Sequence, residues 1–130
     1  MIEHTFQILP SVGAKKEKNI WESGIRTWDD FLAADCVECV KPAFKEKSDP
    51  ILMQAQELLK AEDSGALSDL IPKSEHWRMF DHFKDDAAYL DIETDGLSRD
   101  SLVTVVTIHR KNKTTTLTEG FDLDSESLSD

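Results

Sequence analysis

Residues 89–96 read YLDIETDG, an apolar stretch that is abruptly loaded with three acidic side chains. The segment from Ala87 to Ile92 is largely apolar and predicts a strand that is covered on both faces. Alternate side chains of a strand share a face, so Asp91 and Glu93 point the same way while Ile92 faces the opposite layer. Two carboxylates placed side by side repel each other unless a cation or a proton lies between them.

This pair of acids points to a divalent metal site. Hard oxygen ligands suit Mg²⁺ or Mn²⁺. In a two-metal site the ions lie about 3.5–4 Å apart and clamp the attacking and leaving oxygens of a phosphodiester. The alternative is a strand end at which Asp91 and Glu93 both extend into solvent, and the acidic triplet alone is compatible with either.

The residues after this stretch predict a hairpin. Residues 102–110 are rich in β-branched side chains, residues 111–113 form a turn, and residues 114–118 form a third strand. We expect the strand at residues 87–92 to be the central one, with the hairpin as its partner.

The residues before it predict helices. A tight turn at residues 9–13 precedes a helix at residues 14–22, which Gly24 ends. Thr27 is a good N-cap for a second helix at residues 28–34.

Further along, the sequence KEKSDP, residues 45–50, predicts a charged linker after an interruption at Pro42. A helix is expected from Pro50 to Lys60, where apolar residues recur at helical spacing. Residues 66–70 extend or follow that helix.

Three stretches together resemble a known family. YLDIETDGLS, residues 89–98, resembles the first exonuclease motif of the DEDD-type 3′–5′ exonucleases of the ribonuclease H-like superfamily, where an apolar strand runs into Asp-x-Glu-Thr-x-Gly and a hairpin follows. Residues 71–94 resemble the start of the YprB-type ribonuclease H-like domain, and residues 4–32 resemble the leader found on those proteins.

The resemblance implies roles for individual residues. Asp91 would bridge two metal ions, Mg²⁺ or Mn²⁺, and Glu93 would ligate one of them. Thr94 would lie beside the substrate terminus, mainly through its backbone. Asp95 stands at the variable position of the motif and is assigned no catalytic role.

The superfamily also needs two further aspartates on later segments and a late Tyr or His as general base. Only 37 residues follow Glu93. The resemblance therefore implies the N-terminal portion of the enzyme, either a fragment or a truncated product, which would be inactive alone.

The sequence LPSVGAKKEKNIWESGI, residues 9–25, resembles a helix-hairpin-helix motif. There a turn ending at Gly13 leads into a helix whose free N–H groups bind backbone phosphate. Lys15 and Lys16 would add attraction that does not depend on base sequence. Ser11 stands where the motif usually has its first glycine. The alternative is a helical hairpin used only for packing, with solvated lysines.

Charge and composition bound these interpretations. The formal net charge is -11, residues 1–47 carry 7 basic and 8 acidic side chains, and residues 81–130 carry 5 basic and 12 acidic ones. The acidic half would repel nucleic acid unless cations intervene. No apolar stretch approaches the ~20 residues needed to cross a membrane, and the first ten residues lack a signal-peptide pattern. We therefore expect a cytoplasmic protein.

Cys36 and Cys39 are too few for a disulfide framework. Their spacing is half of a zinc site, which His76 and His82 would have to complete. Two ordinary thiols are the alternative.

The sequence thus predicts an α/β protein with three segments. Residues 1–47 form a helix-hairpin-helix-like leader, residues 48–86 a helical connector, and residues 87–130 the incomplete start of a ribonuclease H-like domain. The predicted function is the N-terminal part of a metal-dependent 3′–5′ exonuclease acting on DNA or RNA. A non-catalytic nucleic-acid- or protein-binding remnant is the alternative. An uncovered sheet edge would allow self-association.

Overall fold

Helices form the first part of the chain and strands the last part, so the predicted α/β class is confirmed. The computed structural model describes residues 1–124. In chain order its elements are a 3₁₀ turn Ile2–His4, α1 Ala14–Glu22, α2 Trp28–Ala33, α3 Pro42–Lys60, α4 Ser64–Leu70, a 3₁₀ helix Lys73–Met79, α5 Phe80–Phe83, β1 Tyr89–Thr94, β2 Val103–Arg110 and β3 Lys113–Thr118. Residues 1–83 and the described residues from 84 onward form two compact units. None of the helices in the described range is both long and apolar enough to cross a membrane.

Local signals explain where α1 ends and where α2 begins. Gly24 has a φ of 95°, a left-handed conformation that glycine adopts without steric cost, and it ends α1. The Thr27 hydroxyl accepts from the Asp30 N–H, and the Asp30 carboxylate accepts from the Thr27 N–H, which is a capping box. The predicted helix at residues 14–22 is confirmed, and the second helix ends at Ala33, one residue earlier than expected.

The linker predicted at residues 45–50 is wrong, because α3 runs through it without a break. Pro42 lies in the first turn of α3, where its missing N–H costs nothing. Lys45 and Asp49, which made this stretch look like a solvated linker, form an i,i+4 ion pair at 3.0 Å along the helix. Pro50 lies inside the helix, and its side chain is exposed.

The core of the first unit contains side chains from the N-terminal segment and from helices α1 to α4. Its largest fully buried apolar side chains are Trp28, Phe6 and Phe31, and the rings of Phe6 and Phe31 lie 5.7 Å apart. Leu52 of α3 and Leu67 of α4 belong to the same buried cluster. The helices of residues 1–83 therefore share one hydrophobic centre.

The second unit contains a three-stranded antiparallel sheet of order β1-β2-β3. The turn at Lys111 and Asn112, whose φ angles of 48° and 64° suit a hairpin, pairs β3 with β2. β1 is consequently an edge strand and not the central one, contrary to the expectation. All six of its residues are exposed, so the prediction of a strand covered on both faces is also wrong. In this sheet only Val106 and Leu117 are buried among the described residues.

Candidate functional site

The two acids of the opening motif lie on β1, which places them on one face of the sheet. Asp91 is opposite Thr107 and Glu93 is opposite Val105 on β2, while Ile92, opposite Val106, belongs to the other face. Both carboxylates are exposed. Neither forms a hydrogen bond or an ion pair with another residue in the described range 1–124.

The face that carries these acids is rich in polar groups. The hydroxyls of Thr107 and Thr116 lie 3.4 Å apart beside Asp91. Nδ1 of His109 lies 2.8 Å from the hydroxyl of Thr114, and the His109 ring centre is 6.3 Å from that of Tyr89. Among residues 1–124, no three His, Cys, Asp or Glu side chains come together in a group that could hold a metal ion. The acids of this face therefore offer two ligands, and a bound Mg²⁺ would keep several waters.

The residues after Glu93 form a closed loop. The Thr94 hydroxyl donates to the Gly96 carbonyl at 2.6 Å. Asp95 accepts from the Leu102 N–H at 2.8 Å through its side chain, and its own N–H donates to the Leu102 carbonyl at 3.1 Å. Asp95 thus joins the end of β1 to the start of β2, which gives it a structural role.

Gly96 explains the glycine of the motif. A Cβ built at Gly96 would lie 2.8 Å from Oγ of Ser101, closer than real Cβ atoms approach. Oγ of Ser101 also accepts from the Ser98 N–H at 3.0 Å and is held in place. A side chain at position 96 would therefore disturb this loop.

The other predicted site residues lie in the first unit, at the start of α1. Gly13 is the N-cap and has no side chain to accept from the first-turn N–H groups. Lys15 is exposed, whereas Nζ of Lys16 lies 4.6 Å from the ring centre of Phe44. Ser11 adopts a φ of 62°, a left-handed conformation that favours glycine.

A buried ion pair that the sequence did not indicate lies close to this turn. Glu17 is 1% exposed, and its carboxylate accepts two bonds from Arg78, at 2.8 and 2.9 Å. It also accepts from the Phe6 N–H at 2.8 Å and from the Gln7 side chain at 3.0 Å. Arg78 pairs with Glu75 at 2.8 Å as well. The charge of each buried group is therefore compensated.

These bonds affect the acidity of Glu17. Burial raises the pKa of Glu17, but the hydrogen bonds from Arg78, Gln7 and Phe6 outweigh it, so the pKa lies below its ordinary value of 4.5. A signal for this residue was available, because Glu17 precedes Ile20 by three positions and therefore lies on the apolar face of α1. The neighbouring lysines, Lys15, Lys16 and Lys18, made this stretch look like a solvated basic surface instead.

Arg78 also separates two tryptophans. Its guanidinium carbon lies 5.6 Å from the ring centre of Trp21 and 5.4 Å from that of Trp77. Both rings border a cleft of about 550 Å³, whose lining also includes His4, Arg26, Arg78 and Asp81.

The cysteines do not form a metal site with the histidines named above. Cys36 and Cys39 are free and exposed. Nε2 of His76 lies 3.0 and 2.9 Å from the carbonyl oxygens of Ser68 and Ile71, so this ring nitrogen is occupied by the protein itself.

Comparison with known proteins identifies no relative of this chain. No protein-family model matches the chain, and no curated protein or solved structure is significantly similar to it. The functional interpretation therefore depends on the chain's own residues.

Proposed function

We propose that this chain provides the first metal-binding strand of a metal-dependent phosphodiester hydrolase of the ribonuclease H-like, 3′–5′ exonuclease type. The observation that carries the proposal is the pair Asp91 and Glu93, which share an exposed face of β1 without any cationic partner among the described residues. Two exposed carboxylates repel each other only weakly in water, and a divalent cation bound between them would turn this repulsion into attraction.

The surroundings of the pair support the same proposal. β1 is followed by the β2–β3 hairpin, which is the order that the resemblance to the YprB-type domain implies. A side chain at Gly96 would crowd the Ser101 hydroxyl, and Asp95 is used within the β1–β2 loop. Within the described part of the chain, Asp91 and Glu93 of the motif are thus unpaired carboxylates, while residues 94–96 make contacts within the loop.

The oxygen donors fit Mg²⁺ or Mn²⁺, and Asp91 and Glu93 would hold the metal. When bound, the metal lowers the pKa of a coordinated water and neutralises charge on a phosphodiester. Thr94 at the end of β1 would position the substrate terminus through its backbone. The substrate class is a DNA or RNA strand.

Metal binding is the direct test. Mn²⁺ titrated into the full chain should broaden the amide NMR signals of β1 first. Asp91→Asn or Glu93→Gln should weaken this binding at least about tenfold, because each removes one of two ligand charges. Asp100→Asn is the matched control, since Asp100 is an exposed carboxylate in the β1–β2 loop. Equal loss in the control would overturn the assignment.

A nuclease assay with Mn²⁺ and short single-stranded DNA or RNA tests the chemistry. We expect little turnover by the isolated chain, because two carboxylates supply fewer ligands than a pair of ions needs. Any turnover should disappear in Asp91→Asn. Equal activity in the wild type and this variant would exclude Asp91 as a metal ligand of the reaction.

A second candidate function is non-catalytic nucleic-acid binding by the helix-hairpin-helix-like segment, residues 9–25. Its support is the start of α1 after Gly13, where no side chain accepts from the first-turn N–H groups, together with the exposed side chain of Lys15. Lys15→Gln should weaken binding to DNA or RNA and lower the salt dependence by about one unit of slope. Lys16→Gln should do less, because Lys16 lies over Phe44. An identical effect of Lys60→Gln, at the far end of α3, would contradict a local site.

A further inference from the structure

The cleft between Trp21 and Trp77 has no assigned role in the proposals above. Its volume of about 550 Å³ lies within the usual range for sites that hold small organic ligands. The cleft belongs entirely to the first unit, away from Asp91 and Glu93 in the sequence. It is also the place where the most exposed tryptophan of the chain lies, since Trp77 is 61% exposed.

The three indole groups of the chain differ in one respect. The ring N–H of Trp21 donates to the His4 carbonyl at 3.0 Å, and that of Trp28 donates to the Thr5 carbonyl at 2.9 Å. The Trp77 ring N–H has no acceptor among residues 1–124. Packing and hydrogen bonding account for the first two indoles but leave most of the third in solvent.

Trp77 also lies beside a cation that lines the same cleft. The Arg78 guanidinium lies 5.4 Å from its ring centre, and Arg78 is itself fixed by two bonds to the buried Glu17. A cation is attracted to the face of an aromatic ring, and this contact favours one position of the indole. The exposed part of Trp77 thus forms a stacking platform beside Arg78.

Basic and acidic side chains line the cleft around this platform. The Arg26 guanidinium forms no hydrogen bond or ion pair within the described part of the chain, since only its backbone N–H bonds to Asp30. His4 and Asp81 add polar side chains to the lining, and Met1 also borders the cleft. A flat aromatic ligand with donors and acceptors on its edge and an anionic group attached would use all of these features.

We propose that the cleft binds one unpaired nucleobase of a single-stranded nucleic acid, with the base stacked on Trp77 and an adjacent phosphate at Arg26. Stacking on an aromatic side chain suits any base, and the Arg26 guanidinium, unpaired among residues 1–124, suits a phosphate. The proposal deepens the hydrolase function and rests on it for the identity of the polymer. The overall charge of -11 opposes duplex binding, so we expect a local contact with a single strand.

NMR of the full chain provides the test, because the three indole N–H signals report on the three tryptophans separately. The probes are adenosine 5′-monophosphate, a single-stranded tetranucleotide, an abasic tetranucleotide of equal charge, and a neutral phenylalanine-containing tripeptide. The two base-containing probes should shift the Trp77 signal, while the Trp28 signal stays in place. Equal shifts with the abasic strand, a stronger effect of the tripeptide, or no shift at millimolar concentration would each overturn the proposal.

Variants sharpen the result. Trp77→Ala should weaken tetranucleotide binding at least about fivefold, whereas Trp77→Phe should retain most of it, because stacking contributes that much per base. Arg26→Gln should weaken the tetranucleotide more than a neutral nucleoside. Lys73→Gln, which removes an exposed cation at the start of the same 3₁₀ helix, is the matched control. Equal losses in Arg26→Gln and Lys73→Gln would contradict a specific phosphate contact.

The cleft proposal and the hydrolase proposal can be overturned independently of each other. A double variant Asp91→Asn, Glu93→Gln should bind the tetranucleotide as the wild type does, without divalent metal. Loss of base binding with intact Mn²⁺ binding overturns the cleft alone. Intact base binding without Mn²⁺ binding at β1 overturns the hydrolase function and leaves the base site standing.

Discussion

Glu17 is the residue on which the first unit should depend most. Replacing it by Gln removes one of the two carboxylates that compensate the buried Arg78, whose side chain is 10% exposed, and leaves Glu75. Breaking a buried pair from one side costs about 3–5 kcal/mol. Glu17→Gln should therefore lower the free energy of unfolding of residues 1–83 by at most that amount, because Glu75 still pairs with Arg78. Urea unfolding followed by tryptophan fluorescence measures this.

Glu22→Gln in the same helix is the control for this prediction. Glu22 and Lys18 form an exposed pair at 3.6 Å, and such pairs contribute less than about 1 kcal/mol. Equal effects of the two substitutions would show that the Glu17–Arg78 pair is not a major source of stability.

The pKa of Glu17 predicts a pH dependence of the same unfolding reaction. Burial raises this pKa, yet the bonds from Arg78, Gln7 and Phe6 lower it further, so the folded value lies below the ordinary 4.5. The unfolded state then binds the proton more readily. The stabilisation is complete above the unfolded pKa and is lost as the pH falls through the folded one. Urea midpoints measured on the acid side should fall steeply in the wild type and less steeply in Glu17→Gln.

At the scale of elements, α3 contains its own destabilising residue. Pro50 lies inside the helix, where it removes a backbone hydrogen bond and crowds the preceding turn. Pro50→Ala should raise the free energy of unfolding by about 1 kcal/mol or more, even after allowing for the greater freedom of the unfolded chain. Thermal unfolding measures this. Pro42→Ala, in the first turn, should give no gain, and a gain there equal to that at Pro50 would contradict the explanation.

The edge strand β1 carries a prediction about association. Leu90 is 60% exposed and Ile92 47% exposed on one face, beside an unpaired backbone edge. Such edges pair with other chains unless a charge blocks them. Sedimentation should show concentration-dependent self-association that Ile92→Lys reduces. Leu97→Lys makes the same chemical change at a fully exposed loop residue and should have little effect. A concentration-independent wild-type monomer would rule out association through this edge.

At the scale of the whole molecule, burial is divided unequally between the units. Of the buried hydrophobic residues in the described range, 16 lie in residues 1–83 and only Val106 and Leu117 lie in the sheet. Local stability follows the apolar area removed from water. Hydrogen exchange on the full chain should therefore be slowest in α1 and α3 and fastest in β1. Uniform protection of helices and strands would contradict two units of different stability.

Local chemistry made much of the fold predictable. Gly24 ended α1, Thr27 capped α2, and the β-branched residues of β2 with the turn at 111–113 produced the hairpin. Sequence reasoning failed where a local rule competed with burial. Residues 45–50 carry linker-like charges, but Ser48 and Lys45 are buried against the core, so the helix continues.

By itself, the sequence determined the features whose causes lie within a few residues: helix ends, turns, and the alternation that places Asp91 and Glu93 on one face. The tertiary structure alone decided that Glu17 meets Arg78 across 61 positions and that β1 is an edge strand. It also decided that Trp77 borders a cleft. The reason is physical, because pairing and burial depend on segments that are distant along the chain, and a single sequence records no distances between them.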